Sequence, residues 1–583
     1  MILQALCSYY DRAASNPEQG IAAYGYAKTG VSSCLVIDDQ GHVRGVDDMM
    51  EAAGKKHIPR NIITPMQPKR SGQRPKAAFL CENKEFLFGI NKDPEAAAYR
   101  FEASKQIHQD VLKSVEDIGA QALLKFFAKR IQGIYAYEGV DTLPLEKGNI
   151  VFRLFGDDVL LHDRPAIKKA WEEYQAKEAM TASVGQCLIT GTMGPIARIH
   201  GNIGGFGTDK PTLVGFNQDS FVSYRKNQGE NAPTSEMAAF KYITALNMLV
   251  ADRRHCINLH GEKVLFWAER NAEVEENSIA HFFNDVKLDN DGIDSTETLK
   301  IKATLSALYS GKKPDEIGLD SNLAFYILGL ASNKTRLVIR FFHRSTFGEL
   351  VKRLMMHHED IHIAGPDWER EYPNPYIILR ETAVKKKSEN VPAQMISGFM
   401  RSILNGAPYP RSLLMAMIGR MRAEAGNDGS AINRTRIGSI KGYLNRLARQ
   451  EDTKEMMTVS LNEQETNPGY LLGRMFAILE KAQRDALGEV NASIVDKYLN
   501  AALATPQTIF HMLLVLAEKH MAKSKKYYSK KQLGDIMELF PSTGFPQTLS
   551  SEEQGRFMVG YYHQRQAFFR KNQDNNEGGQ DNG

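Results

Sequence analysis

Asn467-Pro-Gly-Tyr-Leu-Leu-Gly-Arg-Met-Phe-Ala-Ile-Leu479 decides the architecture of the second half of the chain. Asparagine before proline marks a helix start. The side-chain oxygen can cap free N–H groups, and proline in the first turn sacrifices no intrahelical bond. Leu471, Leu472, Met475, Phe476 and Leu479 then share one helical face, while Arg474, Lys481 and Arg484 fall on another. Further helices are predicted at about 492–503, 506–522 and 554–570, so 456–573 reads as a C-terminal helical bundle. Strand signals fade after about Pro375, which makes 376–455 a helical connecting region. Within it, Arg401 to Gln450 holds nine bases against Glu424 and Asp428. The tail 574–583, rich in Asn, Asp, Gly and Gln, is expected to be disordered.

Upstream, residues 1–375 read as a mixed domain with hairpins and helices, giving an α+β fold overall. Cys34–Ile37 and His42–Val46 flank the turn Asp38-Asp-Gln-Gly41. A second hairpin is predicted from Ala77–Cys81 and Phe86–Ile90, and a third across Ile150–Leu161 around Gly156-Asp157-Asp158. Asp93-Pro94-Glu95 opens a helical stretch reaching about Gly133. A helix from near Thr234 to Ala251, capped by Thr234 or Ser235, should bury Met237, Phe240, Tyr242, Ala245, Leu246 and Leu249. Asn271 to Lys300 is acidic and reads as a solvated insertion, whereas Arg336–Phe342 alternates as a strand with Arg336 and Arg340 on one face.

At 583 residues the chain exceeds one core, and 42% apolar with 24% charged residues is ordinary globular composition. A net charge of +4 excludes a uniformly basic binder, so any nucleic-acid contact must be local. The five cysteines are widely spaced and form no CxxC pair, which fits a reducing cytoplasm. The N-terminus lacks a signal-peptide pattern and no apolar run is long enough for a membrane span. Between Ala52 and Cys81, however, seven bases occur without one acid: Lys55, Lys56, Arg60, Lys69, Arg70, Arg74 and Lys76. Pro59, Pro65, Pro68, Gly72 and Pro75 interrupt them, so the stretch reads as a loop held between strands. Phosphate is one partner that would offset such self-repulsion; a solvated linker is the other reading.

Three motifs suggest other chemistry. His358-Glu-Asp-Ile-His362 matches HExxH, which sets two imidazoles one helical turn apart for zinc with a carboxylate base between them. Gly365 extends the match, but the next ligand would fall at Trp368, with Asp367 one residue out of register. His358 also continues the apolar stripe Phe347, Leu350, Val351, Leu354 and Met355, as a core histidine would. Asp289-Asn-Asp291-Gly292 fails the calcium-loop spacing at Lys287 and Thr298. Gly201–Gly207 is neither GxGxxG nor a phosphate loop ending in GK[ST]. No nucleophile–base pair stands out, and no metal or cofactor is expected. The competing functional classes are a zinc metallopeptidase and a general RNA-binding protein.

Segments in order along the chain resemble one family, the large subunit of the type I-C CRISPR Cascade complex. They include Met1–Leu6 with Tyr9-Tyr10, Lys69-Arg-Ser-Gly72 leading to Phe79–Asn83, and Phe216-Asn217 with Ser223-Tyr224. Gln228-Gly-Glu-Asn231-Ala-Pro-Thr-Ser-Glu236-Met-Ala-Ala-Phe240 and then Ala245-Leu246-Asn247 are the most specific. Phe325–Leu330 before Arg336-Leu337, Ile403–Pro410 and Asn467–Arg474 complete the series. Arg225 departs from it, since the family more usually has glycine there.

The resemblance implies a non-enzymatic subunit of an RNA-guided complex. Its expected partners are CRISPR RNA, the backbone, crRNA-end and small subunits, target duplex DNA with its displaced strand, and a recruited helicase-nuclease. Its implied work is recognition of the protospacer-adjacent motif by the N-terminal domain, help with unwinding, and R-loop stabilisation. The bundle is similar to the small subunits of such complexes, and Met456 or Met457 stands where an internal start would be expected. Implied nucleic-acid contacts are Lys55, Lys56, Arg60, Lys69, Arg70, Arg74 and Lys76 to phosphate, with Ser71, Gln73, Gln228 and Asn231 at base edges. Arg225, Lys226 and Asn227 adjoin them, although an Asn before Ala-Pro also commonly closes a turn. In the bundle, Arg474, Lys481, Arg484, Lys519, Lys523, Lys525, Lys526, Lys530 and Lys531 would track a single strand, with Tyr527 and Tyr528 stacking. A merely solvated face is the alternative there.

Overall fold

The computed structural model describes the chain except residues 17–19, 54–55, 69, 71–73, 130–139, 143–144, 146–147, 181–182, 208–209, 217, 284–302, 305, 309, 426–430, 454, 489, 491, 526–527 and 578–583. Its two compact units are Met1–Met248 and Leu249–Gly583.

In the first unit, after the N-terminal helix α1 (Ile2–Ala14), the long strand β1 (Tyr26–Ile37) organises a five-stranded sheet. Its second half pairs antiparallel with β2 (Val43–Asp48) and parallel with β5 (Asn149–Leu154). Its first half pairs with β4 (Lys56–Pro65), whose other end pairs with β3 (Met50–Ala53). The predicted first hairpin is therefore present, and Asp38 Oδ1 holds its turn by accepting from the amides of Gln40 (3.0 Å) and His42 (2.8 Å). Leu35, Ile37 and Phe152 from the sheet meet Leu112, Phe126, Phe127 and Trp171 in one core. Those four come from α3 (Pro94–Leu112), α4 (Ile118–Lys129) and α5 (Pro165–Met180). Asp93 caps α3 as expected, but the helical stretch breaks at 113–117, and 130–133 lie outside the described residues.

Three local expectations need correction. The proposed second hairpin is instead coil followed by the short helix α2 (Lys84–Phe88). Asn83 accepts from the amides of Glu85 and Phe86, and Gly89 at φ 62° ends the turn; capping at both ends outweighs the β preference of Phe86 and Phe88. The third hairpin is reduced to β5 and a single bridge, Arg153 to Leu160. The cationic stretch is not all loop, because Lys56 to Pro65 is strand β4. Pro59 is tolerated there because β4 pairs β3 only through residue 59 and β1 only from residue 60, so no two-sided ladder needs its missing N–H.

Later in this unit a two-stranded ribbon, β6 (Val184–Gln186) and β7 (Met193–Pro195), precedes the glycine-rich coil. The helix Glu236–Ala251 follows, with Ser235 Oγ accepting from Ala238 N. Its stripe is buried as predicted except Met237, which faces solvent.

In the second unit an antiparallel sheet runs β11-β10-β9-β8: Arg336–Thr346, Ala324–Asn333, Glu262–Ala268 and Cys256–Leu259. The strand around Arg336 and Arg340 is thus present, and Arg340 pairs with the buried Glu262 at 2.9 Å. The acidic insertion is corrected in its first part. Glu273–Phe283 is a helix that buries Ile279, Phe282 and Phe283, and its Glu276 accepts from Ala268 N; residues 284–300 lie outside the described residues.

From Pro375 onward the chain is helical, as predicted. The last helices are Pro468–Leu487, Ile494–Ala504, Pro506–Ser524, Tyr528–Met537 and Ser551–Glu577. Asn467 caps the first of them, and Leu471, Leu472, Met475, Phe476 and Leu479 are all buried. The final helix overlaps 574–577 of the expected disordered tail, while 578–583 are outside the described residues. Helices Pro468–Leu487 and Ser551–Glu577 cross closely because Gly473 and Gly560 carry no Cβ; one would overlap the carbonyl oxygens of Phe557 and Tyr470 respectively. The mixed N-terminal region and helical C-terminal region make the α+β class a property of the structure.

Candidate nucleic-acid interface

The run of bases in 52–81 looks unbalanced only within its own window. Glu51 precedes it, Glu82 follows it, and Glu178 approaches from α5. Arg60 Nε lies 3.3 Å from Glu51, with both side chains more than half exposed. Lys76 Nζ lies 3.2 Å from Glu178, again at the surface. Arg74 is exposed with its guanidinium over the Tyr99 ring, 5.7 Å from the centroid. Exposed pairs of this kind contribute little to stability, so these cations can exchange their partners for phosphate.

Arg70 is different. It pairs with the fully buried Glu82, donates from Nε to Lys76 O (3.2 Å), and lies over the Phe86 ring at 4.1 Å. Glu82 also accepts from the amides of Ala78 (2.9 Å) and Asn83 (2.8 Å). Burial raises its pKa, against the opposing pull of Arg70 and those amides. Arg70 therefore holds a buried carboxylate while part of its side chain stays exposed, which distinguishes it from the surface cations of the run. Lys55, Lys69, Ser71 and Gln73 lie outside the described residues, and of Lys56 only the strand position is described.

The second group gathers on one loop. Lys226 N donates to Ser223 O at 2.9 Å, and the residues between, Tyr224 and Arg225, have φ of 51° and 59°. This is the geometry of a type I′ turn, whose central positions normally suit Asn-Gly. Arg225 thus keeps the backbone conformation that glycine would adopt freely. Asn231 ties the turn from below: its Oδ1 accepts from Ser223 N (3.1 Å), and its Nδ2 donates to Lys226 O (2.9 Å) and Gln228 O (3.0 Å). Its amide is spent on the turn, so the closing role wins over base reading. Asn227 and Glu230 form a capping box, and Gln228 accepts from Arg198 Nη1 at 2.6 Å. Gly229 N donates to Arg198 O, and a Cβ on Gly229 would overlap Ala197 O. Arg225 and Lys226 are exposed, and no ion pair joins either among the described residues. Arg198 and Tyr224 were missed as sequence candidates. Arg198 is thirty positions from Gln228, and Tyr224 is singled out only by its exposure.

In the helical end, Arg474 does not face solvent as predicted. It is buried, donating to Gln564 Oε1 (3.2 Å) and Glu463 O (3.2 Å). Its position overlaps the glycine-lined helix crossing, where no outward face exists. Lys481 pairs with Asp485 (3.1 Å) and Arg484 with Glu480 (2.9 Å). Lys519, Lys523, Lys525, Lys530 and Lys531 are exposed, and Tyr528 is partly so; Lys526 and Tyr527 lie outside the described residues.

The zincin spacing does not survive folding as a ligand pair. The helix Phe347–Ile361 ends before His362, whose ψ of 122° is extended. His358 is buried with its ring stacked 4.4 Å from that of Phe282, and burial pushes its pKa down to about 3. His362 Nε2 turns to Glu371 at 2.9 Å. Among the described residues no group of three or more His, Cys, Asp or Glu could hold a metal ion.

Residues 6–569 match the family described as CRISPR-associated protein (Cas_Csd1). The chain belongs to that CRISPR-associated family. The match spans both compact units, so the loop at 223–231 and the helical end are both within the family's extent. No curated protein matches this family member. Among its described residues no helix is long and apolar enough to cross a membrane.

Proposed function

We propose that this chain is the non-catalytic large subunit of a type I-C CRISPR RNA-guided complex, working in the cytoplasm. It reads the protospacer-adjacent motif in duplex DNA, assists unwinding, stabilises the R-loop and helps recruit the helicase-nuclease. Its partners are CRISPR RNA, the backbone, crRNA-end and small subunits, the target duplex and its displaced strand. The observation that carries this reading is the family match across residues 6–569. Supporting it physically, Arg60, Arg74, Lys76, Arg225 and Lys226 are exposed cations able to meet phosphate, while guide pairing supplies sequence recognition as in other RNA-guided systems. The exposed lysines 519, 523, 525, 530 and 531 suit the displaced strand.

The test is a reconstituted guide-loaded assembly, titrated with duplexes that share the target and differ only beside it. Binding should discriminate among flanks when the chain is present, fall steeply with salt, and leave the DNA uncut until the helicase-nuclease is added. Arg60→Ala with Lys76→Ala should reduce the salt slope by about two. A complex that discriminates equally well without this chain would remove the proposed role.

A further inference from the structure

Tyr224 is 94% exposed, more than any other large apolar or aromatic side chain described. Chance exposure of one tyrosine would need no explanation. This ring, however, stands at the tip of a turn in which two consecutive non-glycine residues hold left-handed backbone, with a third at Gln228 (φ 43°). Such conformations are disfavoured for side chains with a Cβ and persist only where the surroundings enforce them. Here the enforcement comes from three bonds of the Asn231 amide and from the Gly229 backbone against Arg198. A floppy loop would let the ring fold back onto the protein; this one keeps it in solvent.

Around the ring are Arg225 and Lys226 on the turn and the exposed Arg198 that donates to Gln228. The acids on the same segment are Asp219, at the surface, and Glu230, whose carboxylate accepts from Asn227 N at 2.9 Å. A fixed aromatic face bracketed by cations fits a nucleobase whose neighbours carry phosphate. A base inside a duplex offers only its edge, so the ring requires one that has left its pair.

We infer that Tyr224 is a stacking platform for an unpaired nucleobase, with Arg225, Lys226 and Arg198 holding the flanking phosphates. The inference deepens the proposed function and rests on it for the source of that base, which is either the opened target DNA or the guide RNA.

The experiment uses the full chain and fluorescence anisotropy with a 12-nucleotide single-stranded DNA and the RNA of the same sequence. Tyr224→Ala should weaken binding by about 5- to 140-fold, the range expected for one lost base stack. Alanine meets the same left-handed backbone, so the difference reports the ring. Tyr224→Phe should stay within about twofold, and neither change should alter the salt slope. Arg225→Ala should lower that slope by about 0.7. Loss on the DNA alone assigns the base to the target, and loss on the RNA alone assigns it to the guide. Unchanged affinity of Tyr224→Ala for both strands overturns the inference, as does a phenylalanine variant as weak as alanine. Flank discrimination by the assembly is measured separately. If it fails while the alanine effect stands, the subunit role falls and the stacking remains.

Discussion

Arg70 and Arg60 belong to the same run of bases, yet only one is free to leave its carboxylate. Arg60 and Glu51 share solvent, so replacing Arg60 should change stability by less than about 0.5 kcal/mol. Glu82 is fully buried, and its only cationic neighbour among the described ion pairs is Arg70. Arg70→Ala therefore strands a carboxylate in the core and should cost about 3 kcal/mol. The carboxylate, not the lost guanidinium packing, should dominate that figure. Adding Glu82→Gln to Arg70→Ala should then recover part of it, since a neutral amide needs no counter-charge, while its single oxygen can accept from only one of Ala78 N and Asn83 N, which now donate to different oxygens. Urea midpoints of the wild type, the two single arginine variants and the double variant decide the matter. A double variant no more stable than Arg70→Ala alone would show that Arg70 stabilises by packing over Phe86 instead.

At the level of elements, the decisive contact is the crossing of Pro468–Leu487 with Ser551–Glu577. Gly473 faces the Phe557 carbonyl with no space for a methyl group, and both partners are backbone. Gly473→Ala must push the helices apart, which should lower stability by about 1–3 kcal/mol. Gly419 is also helical but has nothing within 4 Å of its would-be Cβ, so Gly419→Ala should be neutral or stabilise by up to about 1 kcal/mol. Thermal unfolding of the two variants separates close approach from helix propensity. The sequence showed the helices themselves through caps and apolar spacing, because those signals lie within one turn of each other. It did not show which charged positions face inward. Of the nine bases in 401–450, Arg434, Arg436, Lys441 and Arg446 are buried, and most of their partners come from outside that stretch: Arg436 meets Glu381 as well as Glu424 within it, Arg446 meets Asp360, and Lys441 Nζ reaches the carbonyls of Glu359 and Asp360. The partners of the candidate-site residues were hidden in the same way. A window from Ala52 to Cys81 excludes Glu51 and Glu82, and no local pattern announces that Arg198 will reach Gln228, whereas the Ala-Pro after Asn231 does point to its turn-closing role.

Across the whole molecule, each compact unit encloses neutral histidine. In the first, His108 is buried between Phe79 and Phe127; its Nδ1 donates to Ser104 O (2.6 Å), so its Nε2 must accept from Leu80 N (3.1 Å). Burial pushes its pKa down from 6.5 to about 4. In the second, His358 is pushed by burial to about 3, and His357 beside it lies well below its ordinary value for the same reason. The sign follows from which state binds the proton. Between pH 6.5 and 4 the unfolded chain takes it up while the folded chain refuses it, so stability is full above 6.5 and falls as the pH drops. His108 alone should account for a loss of about 3 kcal/mol by pH 4, with little more below. Protonation would also cost the Leu80 amide its acceptor, at a residue already held at φ 56°. Urea unfolding at pH 7, 6, 5 and 4.5 should show a falling midpoint with a constant denaturant slope. His108→Gln keeps a donor and an acceptor but cannot titrate, so the difference between its curve and the wild-type curve should shrink steadily as the pH falls. Parallel curves would mean that His108 titrates alike in the folded and unfolded chain, and the acid sensitivity would then belong to other buried histidines, His162, His357 and His358 among them.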